Sequence, residues 1–251
     1  MSPGSKTTRV AIIAAMADEL KPLVRGWQHE RRGKKTGAVV DLWRWRFDDG
    51  EWVAACGGAG ADAGMRAFGE IAKDGPISIA VSIGWAGALT QEIKLARAYL
   101  ASAVIDARTG ERFTSAHASG GPLVVTNPIV ADEREKRRLA ATYKADLCDM
   151  EGAIVGRLAA QRGVPFYCIK AASDALTDRL PDFNRFISRS GQIQLGRFIL
   201  FALLRPIYWP PLIRMGENSR EASQTIAESL LDLLDEQGTI RKRNGYPNIK
   251  S

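Results

Sequence analysis

Residues 149–174 read Asp149-Met150-Glu151-Gly152-Ala153-Ile154-Val155-Gly156-Arg157-Leu158-Ala159-Ala160-Gln161-Arg162-Gly163-Val164-Pro165-Phe166-Tyr167-Cys168-Ile169-Lys170-Ala171-Ala172-Ser173-Asp174, and their punctuation decides the fold class. Ile154 to Ala160 carries apolar residues at helical spacing, Gly163-Val164-Pro165 breaks the pattern, and Phe166 to Ile169 is an apolar run of strand length. Helix, turn and strand follow in a unit of the βαβ type. Glu151 then stands at the start of the helix and Asp174 just past the C-terminal end of the strand, where open α/β sheets hold their ligands. Both acids are expected to face one crevice.

The same alternation extends in both directions. Arg9 to Ala15 reads as a buried strand, and Met16 to Leu23 as the loop and helix that follow, with Asp18 and Glu19 suited to a helix N-terminus. Val39 to Phe47 and Glu51 to Cys56 predict a hairpin around Asp48-Asp49-Gly50. Gly57-Gly58-Ala59-Gly60-Ala61 leads into a helix over 61–73, and its glycines fit either close helix-sheet packing or a phosphate cradle. Ile77 to Ile83 is a second buried strand. It runs into a loop of small residues, Gly84-Trp85-Ala86-Gly87-Ala88-Leu89, which lets backbone approach a ligand. Further strands are predicted at Ala98 to Ile105, Pro122 to Thr126 and Ala145 to Met150, with a turn near Thr109-Gly110 and a charged helix from Glu133 to Tyr143. Ala222, Ile226, Leu230, Leu231, Leu233 and Leu234 give an amphipathic helix over 219–235. The expected fold is α/β: one three-layer domain over 9–236 with a central mixed, twisted sheet flanked by helices, and flexible tails at 1–8 and 238–251.

A chain of 251 residues, 45% hydrophobic, is long enough for one large core. Its net charge of +7 favours anionic partners, yet the basic clusters at Arg31 to Lys35, Arg134 to Arg138 and Arg241 to Arg243 read equally as solvated faces. No RRM, OB or helix-turn-helix pattern supports nucleic-acid binding. Cys56, Cys148 and Cys168 form neither a disulfide framework nor a zinc pattern, so no metal is expected, and His29 and His117 stand alone. Residues 1–8 lack the apolar stretch of a signal peptide, which makes cytoplasmic location the default expectation. Residues 196–215 combine the apolar run Phe198 to Leu204 with aromatics, prolines and arginines. The segment is too short to span a bilayer, which needs about 20 apolar residues. It reads either as a helix buried on the sheet or as an element facing lipid at the inner membrane surface.

Four motifs together resemble the nucleoside phosphorylase and nucleosidase superfamily, above all the methylthioadenosine/S-adenosylhomocysteine nucleosidases. They are Ile13 to Leu20, Ile83 to Leu89, Asp149-Met150-Glu151-Gly152-Ala153 and Ala172-Ser173-Asp174, in the family's order. Ile105 to Phe113 and Arg205 to Leu212 are similar to the hopanoid-associated branch, whose members are thought to remove adenine from adenosylhopane. The resemblance implies cleavage of a purine N-glycosidic bond without a cofactor, with inorganic phosphate as co-substrate if the reaction is phosphorolytic, and it implies a homo-oligomer. It assigns Asp174 to purine N7 with Ser173 holding it, Glu151 to the ribose hydroxyls, Met150 to the sugar face and Glu19 to activation of water. An oxocarbenium-like transition state needs such a pair of roles, an acid for the departing base and negative charge near the sugar.

Departures from the family pattern matter as much. Trp85 stands where the family has Ser or Thr, between Gly84 and Ala86, and its indole would pack on a bulky 5′ substituent. Lys170 replaces an arginine and keeps the charge without the bidentate fork. Asn127-Pro128 occupies the place of Gly-Asp, leaving Ile129 and Val130 as base-packing candidates. A catalytically silent protein that binds nucleoside or lipid is the reading of a different class. Acid action by Asp174 is expected to depend on partial burial.

Overall fold

Strand β1 (Thr8–Ala14) lies between β4 (Gly50–Cys56) and β5 (Ile79–Ala88), parallel to both. Successive strand side chains point to opposite faces. Ala11 and Ile13 therefore enter one core, and Val10, Ile12 and Ala14 the other. The first core is closed by helix α2 (Ala61–Ala72) through Ala67, Phe68 and Ile71, and by α4 (Gly152–Arg162) through Ala153, Val155 and Ala159. The second is closed by α1 (Ala17–Leu20) through Leu20, and by α6 (Trp209–Glu236) through Ala222, Ile226, Leu230, Leu233 and Leu234. The expected three layers result.

The computed structural model describes residues 8–33, 38–48, 50–117, 120–130, 132–188, 191 and 194–236. The predicted tail at 238–251, the lead up to residue 7, the cluster Arg241 to Arg243, and Lys34, Lys35 and Asp49 lie outside the described residues. Within them the sheet has eleven strands and is mixed. β2 (Gln28–Gly33) and β3 (Val39–Phe47) extend β4 in antiparallel fashion. Beyond β5 come β10 (Leu147–Asp149), β9 (Leu123–Thr126), β7 (Ala103–Asp106) and β8 (Arg112–Thr114). β11 (Phe166–Asp174) leaves this path, pairing parallel with β5 and antiparallel with β6 (Ala98–Leu100). Helix α3 (Glu133–Tyr143) packs Leu139 into a third, smaller core with Leu89, Val125 and Cys148.

What positions the site is the far end of β5. Gly87 is the register partner of Cys148 in β10 and also of Asp174 in β11, where a bulge shifts the register between Ala172 and Asp174. The C-terminal ends of β10 and β11 therefore converge on one glycine. This corrects two expectations: 84–88 is strand rather than loop, and β10 runs antiparallel to β5, so β10, α4 and β11 do not form a parallel βαβ unit. Asp174 is the last residue of β11 rather than the first beyond it.

Other boundaries differ for local reasons. The predicted strand 98–105 is two strands, because Ala101 N–H donates to Cys168 O and Ser102 N–H to Pro122 O, switching the chain from β11 to β9. Helix α1 is a single turn, and Pro22 supplies no amide to continue its hydrogen-bond ladder. Strand β2 carries polar, exposed residues with no buried face to mark it in the sequence. Helix α6 begins at Trp209 instead of 219, because Pro210 and Pro211 fall in the first turn, where no intrahelical donor is required.

Candidate active site

Glu19 projects from α1 back under the sheet end. Its Oε2 accepts the amides of Ala15 and Met16, each at 2.8 Å, and its Oε1 accepts that of Trp85 at 2.8 Å. Gly84 makes the room: a Cβ there would lie 2.6 Å from Oε1, and its φ of +144° disfavours any other residue. Burial pushes the Glu19 carboxyl above the ordinary range, against the pull of Lys170 and the three amides.

Glu151 sits at the N-cap of α4, where Oε1 accepts the Gly60 amide at 2.6 Å. Burial pushes its carboxyl up to about 8; the Lys170 ammonium opposes this, while Asp149 and Glu19 add to it. Lys170 is fully buried with Nζ 2.8 Å from Asp149 Oδ2 and 3.3 Å from Ile83 O. Burial works against its charge, but Asp149 and Glu151 hold it above the usual lysine range. Asp149 is fixed in turn by the Thr126 hydroxyl at 2.6 Å and the Gly152 amide at 2.8 Å. Removing one member of such a buried pair typically costs about 3–5 kcal/mol.

Asp174 faces the same space from β11. Ser173 Oγ donates to Oδ1 at 2.8 Å, and the Lys136 ammonium donates to Oδ2 and, at 2.6 Å, to Ala175 O. Asp174, expected to depend on partial burial and to be held by Ser173, thus has that hydroxyl on one oxygen and a lysine ammonium, which was not expected, on the other.

Glu19, Glu151 and Asp174 line one cavity of about 300 Å³, with Met150, Ser173, Trp85, Ala86, Ile129 and Val130. These nine predicted residues are brought together from five stretches of chain. Gly84 and Lys170 are not on the wall. Both stand behind it, Gly84 as clearance for Glu19 and Lys170 as the counter-ion of Asp149, which corrects their expected contact with substrate. The glycine run before α2 is a packing device rather than an anion cradle: the amides of Gly58, Ala59 and Gly60 are taken by Ala15 O, Gly191 O and Glu151.

Residues that sequence reasoning missed complete the wall. Lys136, Cys148, Leu180, Phe183, Phe186, Phe198 and Met215 line the cavity. The pair Phe183 and Phe186 in a polar stretch was the available signal. Asn184 fixes this segment to Val130 through Val130 N–H to Oδ1 at 2.8 Å and Nδ2 to Val130 O at 3.0 Å. Trp85, Phe183, Phe198 and Met215 also line an outer cavity of about 770 Å³, rimmed by Lys21, Arg25 and Arg220. The Trp85 indole N–H donates to Ser223 Oγ at 3.0 Å, which ties the ring to α6.

Helix α5 (Leu195–Leu203) contributes Phe198 to both cavities, and the 3₁₀ turn Pro206–Tyr208 follows it. Of the two readings of this segment, the helix buried on the sheet is corrected: Leu200 is 60% exposed, Leu204 71% and Ile207 80%, while Phe198 and Phe201 turn inward to meet the Phe186 ring edge-on. Among the described residues no single helix is long and apolar enough to cross a membrane; α5 and the run through α6, bent by 104°, reach that length and composition only together. No group of three or more His, Cys, Asp or Glu among the described residues is arranged to hold a metal.

Comparison with known proteins gives a consistent picture of the fold. A family model described as the phosphorylase superfamily matches residues 107–198, under half of the chain. The aminodeoxyfutalosine nucleosidase of Campylobacter jejuni is 30% identical over 81 residues, 32% of this chain and only 35% of that protein. Futalosine hydrolase of Helicobacter pylori superposes with a TM-score of 0.67 at 14% identity, covering 92% of this chain and 98% of its own. The 5′-methylthioadenosine nucleosidase of Arabidopsis thaliana does so with a TM-score of 0.67 at 15% identity, covering 95% and 98%. The mixed sheet flanked by helices is the fold of these nucleosidases.

Proposed function

We propose that this chain hydrolyses the N-glycosidic bond of a 5′-substituted adenosine and releases adenine. The observation that carries the reading is the shared cavity of Glu19, Glu151 and Asp174, three carboxyls from separate stretches around a space of nucleoside size. Asp174, held by Ser173, protonates the base at N7; Glu151 accepts the ribose hydroxyls; Glu19, buried and raised above the ordinary carboxylate range, takes the proton of the attacking water. Met150 packs on the sugar, and Ile129, Val130 and Phe186 form the apolar walls for the base.

Water is favoured over phosphate by where the donors are already spent. Glu19 occupies the amides of residues 15, 16 and 85, Asp174 holds Lys136, and Asp149 holds Lys170. A phosphate dianion would have to displace one of these partners.

The substrate carries a large apolar 5′ group, of which adenosylhopane is the proposed example. Support comes from the outer cavity that continues the inner one past Trp85, Phe183, Phe198 and Met215. The exposed apolar residues of 199–213 lie beside that opening among Arg197, Arg205 and Arg214, and we propose that this face rests on lipid. The test is adenine release from 5′-methylthioadenosine, adenosine and adenosylhopane in buffer with and without phosphate. Turnover without phosphate, fastest with the largest apolar group, is expected; an absolute phosphate requirement contradicts the hydrolytic reading.

A further inference from the structure

We propose that Lys136 is the source of the proton that reaches the departing purine, acting through Asp174. This rests on the nucleoside-cleaving reading above and adds a residue to it. Lys136 lies on α3, a helix whose other basic residues stay at the surface: Arg137 pairs with Glu133 and Arg138 with Glu135. Lys136 instead turns inward and is 3% exposed. A lysine buried to this degree is costly unless its charge is held by specific acceptors. Its acceptors are Asp174 and the carbonyl of Ala175, and it lies on the cavity wall.

The strand opposite is cut to fit this side chain. A Cβ at Gly87 would come within 3.0 Å of Lys136 Cε, 3.1 Å of Cys148 Sγ and 3.4 Å of Asp174 Oδ2. The smallest residue thus stands where β10, β11 and the lysine stem meet. The ionisable groups acting on or beside the ammonium are Asp174 from β11 and Cys148 from β10, and Lys136 and Asp174 also line a cavity shared with Glu133 and Glu135 of α3 and with Asp178 and Arg179 beyond β11. Burial, helped by the Asp174 charge, pushes the Cys148 thiol up to about 12, so it stays a thiol at neutral pH.

The step balances without any further reagent. As the bond from C1′ to N9 breaks, its electron pair passes into the purine, and N7 takes a proton from the Asp174 carboxyl. Lys136 passes one ammonium proton to the carboxylate oxygen it already contacts, becoming a neutral amine. Water bonds to C1′ and gives its proton to Glu19. After adenine leaves, solvent entering the open cavity returns a proton to Lys136 and removes one from Glu19. The proton enters the reaction on Lys136, already in contact with the Asp174 oxygen that hands it on.

The experiment compares wild type, Lys136→Met, Lys136→Arg and Asp174→Asn on two substrates: 5′-methylthioadenosine and a 4-nitrophenyl riboside, whose phenolate leaves without protonation. Thermal unfolding checks that each variant is folded. At neutral pH both Lys136 variants should lose adenine release by about 100-fold or more, the usual worth of a placed proton donor. Nitrophenolate release should stay near wild type. Arginine keeps the charge but does not give up its proton, so it separates proton supply from electrostatics. Wild-type adenine release by either variant, or equal loss on both substrates, overturns the proposal. If wild type releases no adenine, or Asp174→Asn releases it unchanged, the nucleosidase reading itself fails.

Discussion

Glu151 and Glu19 are carboxyls that folding makes harder to ionise. For Glu151 the folded value of about 8 exceeds its ordinary 4.5, so the native state binds more protons than the unfolded chain between these limits. The stability this confers is fully present below the unfolded value and is lost as the pH rises through the folded one. Glu19 is raised in the same direction and adds to the trend. Thermal unfolding of wild type and Glu151→Gln across pH 4 to 9 should therefore diverge: wild type loses stability with rising pH, and the glutamine variant follows a flatter curve, standing relatively higher above pH 8. Parallel curves would contradict the assigned burial of Glu151. For the proposed role of Glu19 as the base that activates water the sign is opposite, since a base must be ionised; activity should fall as the pH falls through its raised value.

At the scale of the element, β5 is where structure and chemistry share residues. Gly84→Ala places a methyl 2.6 Å from Glu19 Oε1 at a backbone angle suited to glycine. The variant should lose about 1–3 kcal/mol of stability from backbone strain and displaced contacts. Denaturant unfolding with a parallel activity assay would show a loss of activity larger than the stability change explains; an intact, fully active variant would show that Glu19 is not held there. The strands and helices that bury apolar faces were legible because period and burial coincide, as in β1 and in α6 from Ala222 onward. Their partners were not. Only register reveals that Gly87 meets both Cys148 and Asp174, and the turning of Lys136 out of the charged run Arg134 to Arg138 depends on how α3 packs, which no periodicity in that run records. The site's carboxyls could be read from motifs, while Phe183, Phe186 and Phe198 come from a segment whose arrangement depends on long-range contacts such as Asn184 to Val130.

For the whole molecule the unbalanced feature is its apolar face. Leu200, Leu203, Leu204, Ile207 and Ile213 are each at least 60% exposed beside arginines, on a chain of net charge +7. A surface of this kind calls for a cover. Charged tips and an exposed tryptophan, Trp209, fit the boundary of an anionic bilayer. Co-sedimentation with acidic vesicles should be strong for wild type and weak for the triple variant Leu200→Glu, Leu204→Glu, Ile207→Glu, with both folded. Equal binding would contradict the lipid assignment, and loss of a dimer in the same variant would show that a second copy covers this face.

Adenine release in phosphate-free buffer decides whether this cavity hydrolyses a glycosidic bond. Single-turnover mixing of excess enzyme with 5′-methylthioadenosine should give one equivalent of adenine per nucleoside with wild type. With Asp174→Asn the rate should drop by about 100-fold or more, as expected for removal of a general acid. Adenine released at an unchanged rate by the asparagine variant, or none released by wild type, would contradict the assignment of this cavity to glycosidic cleavage.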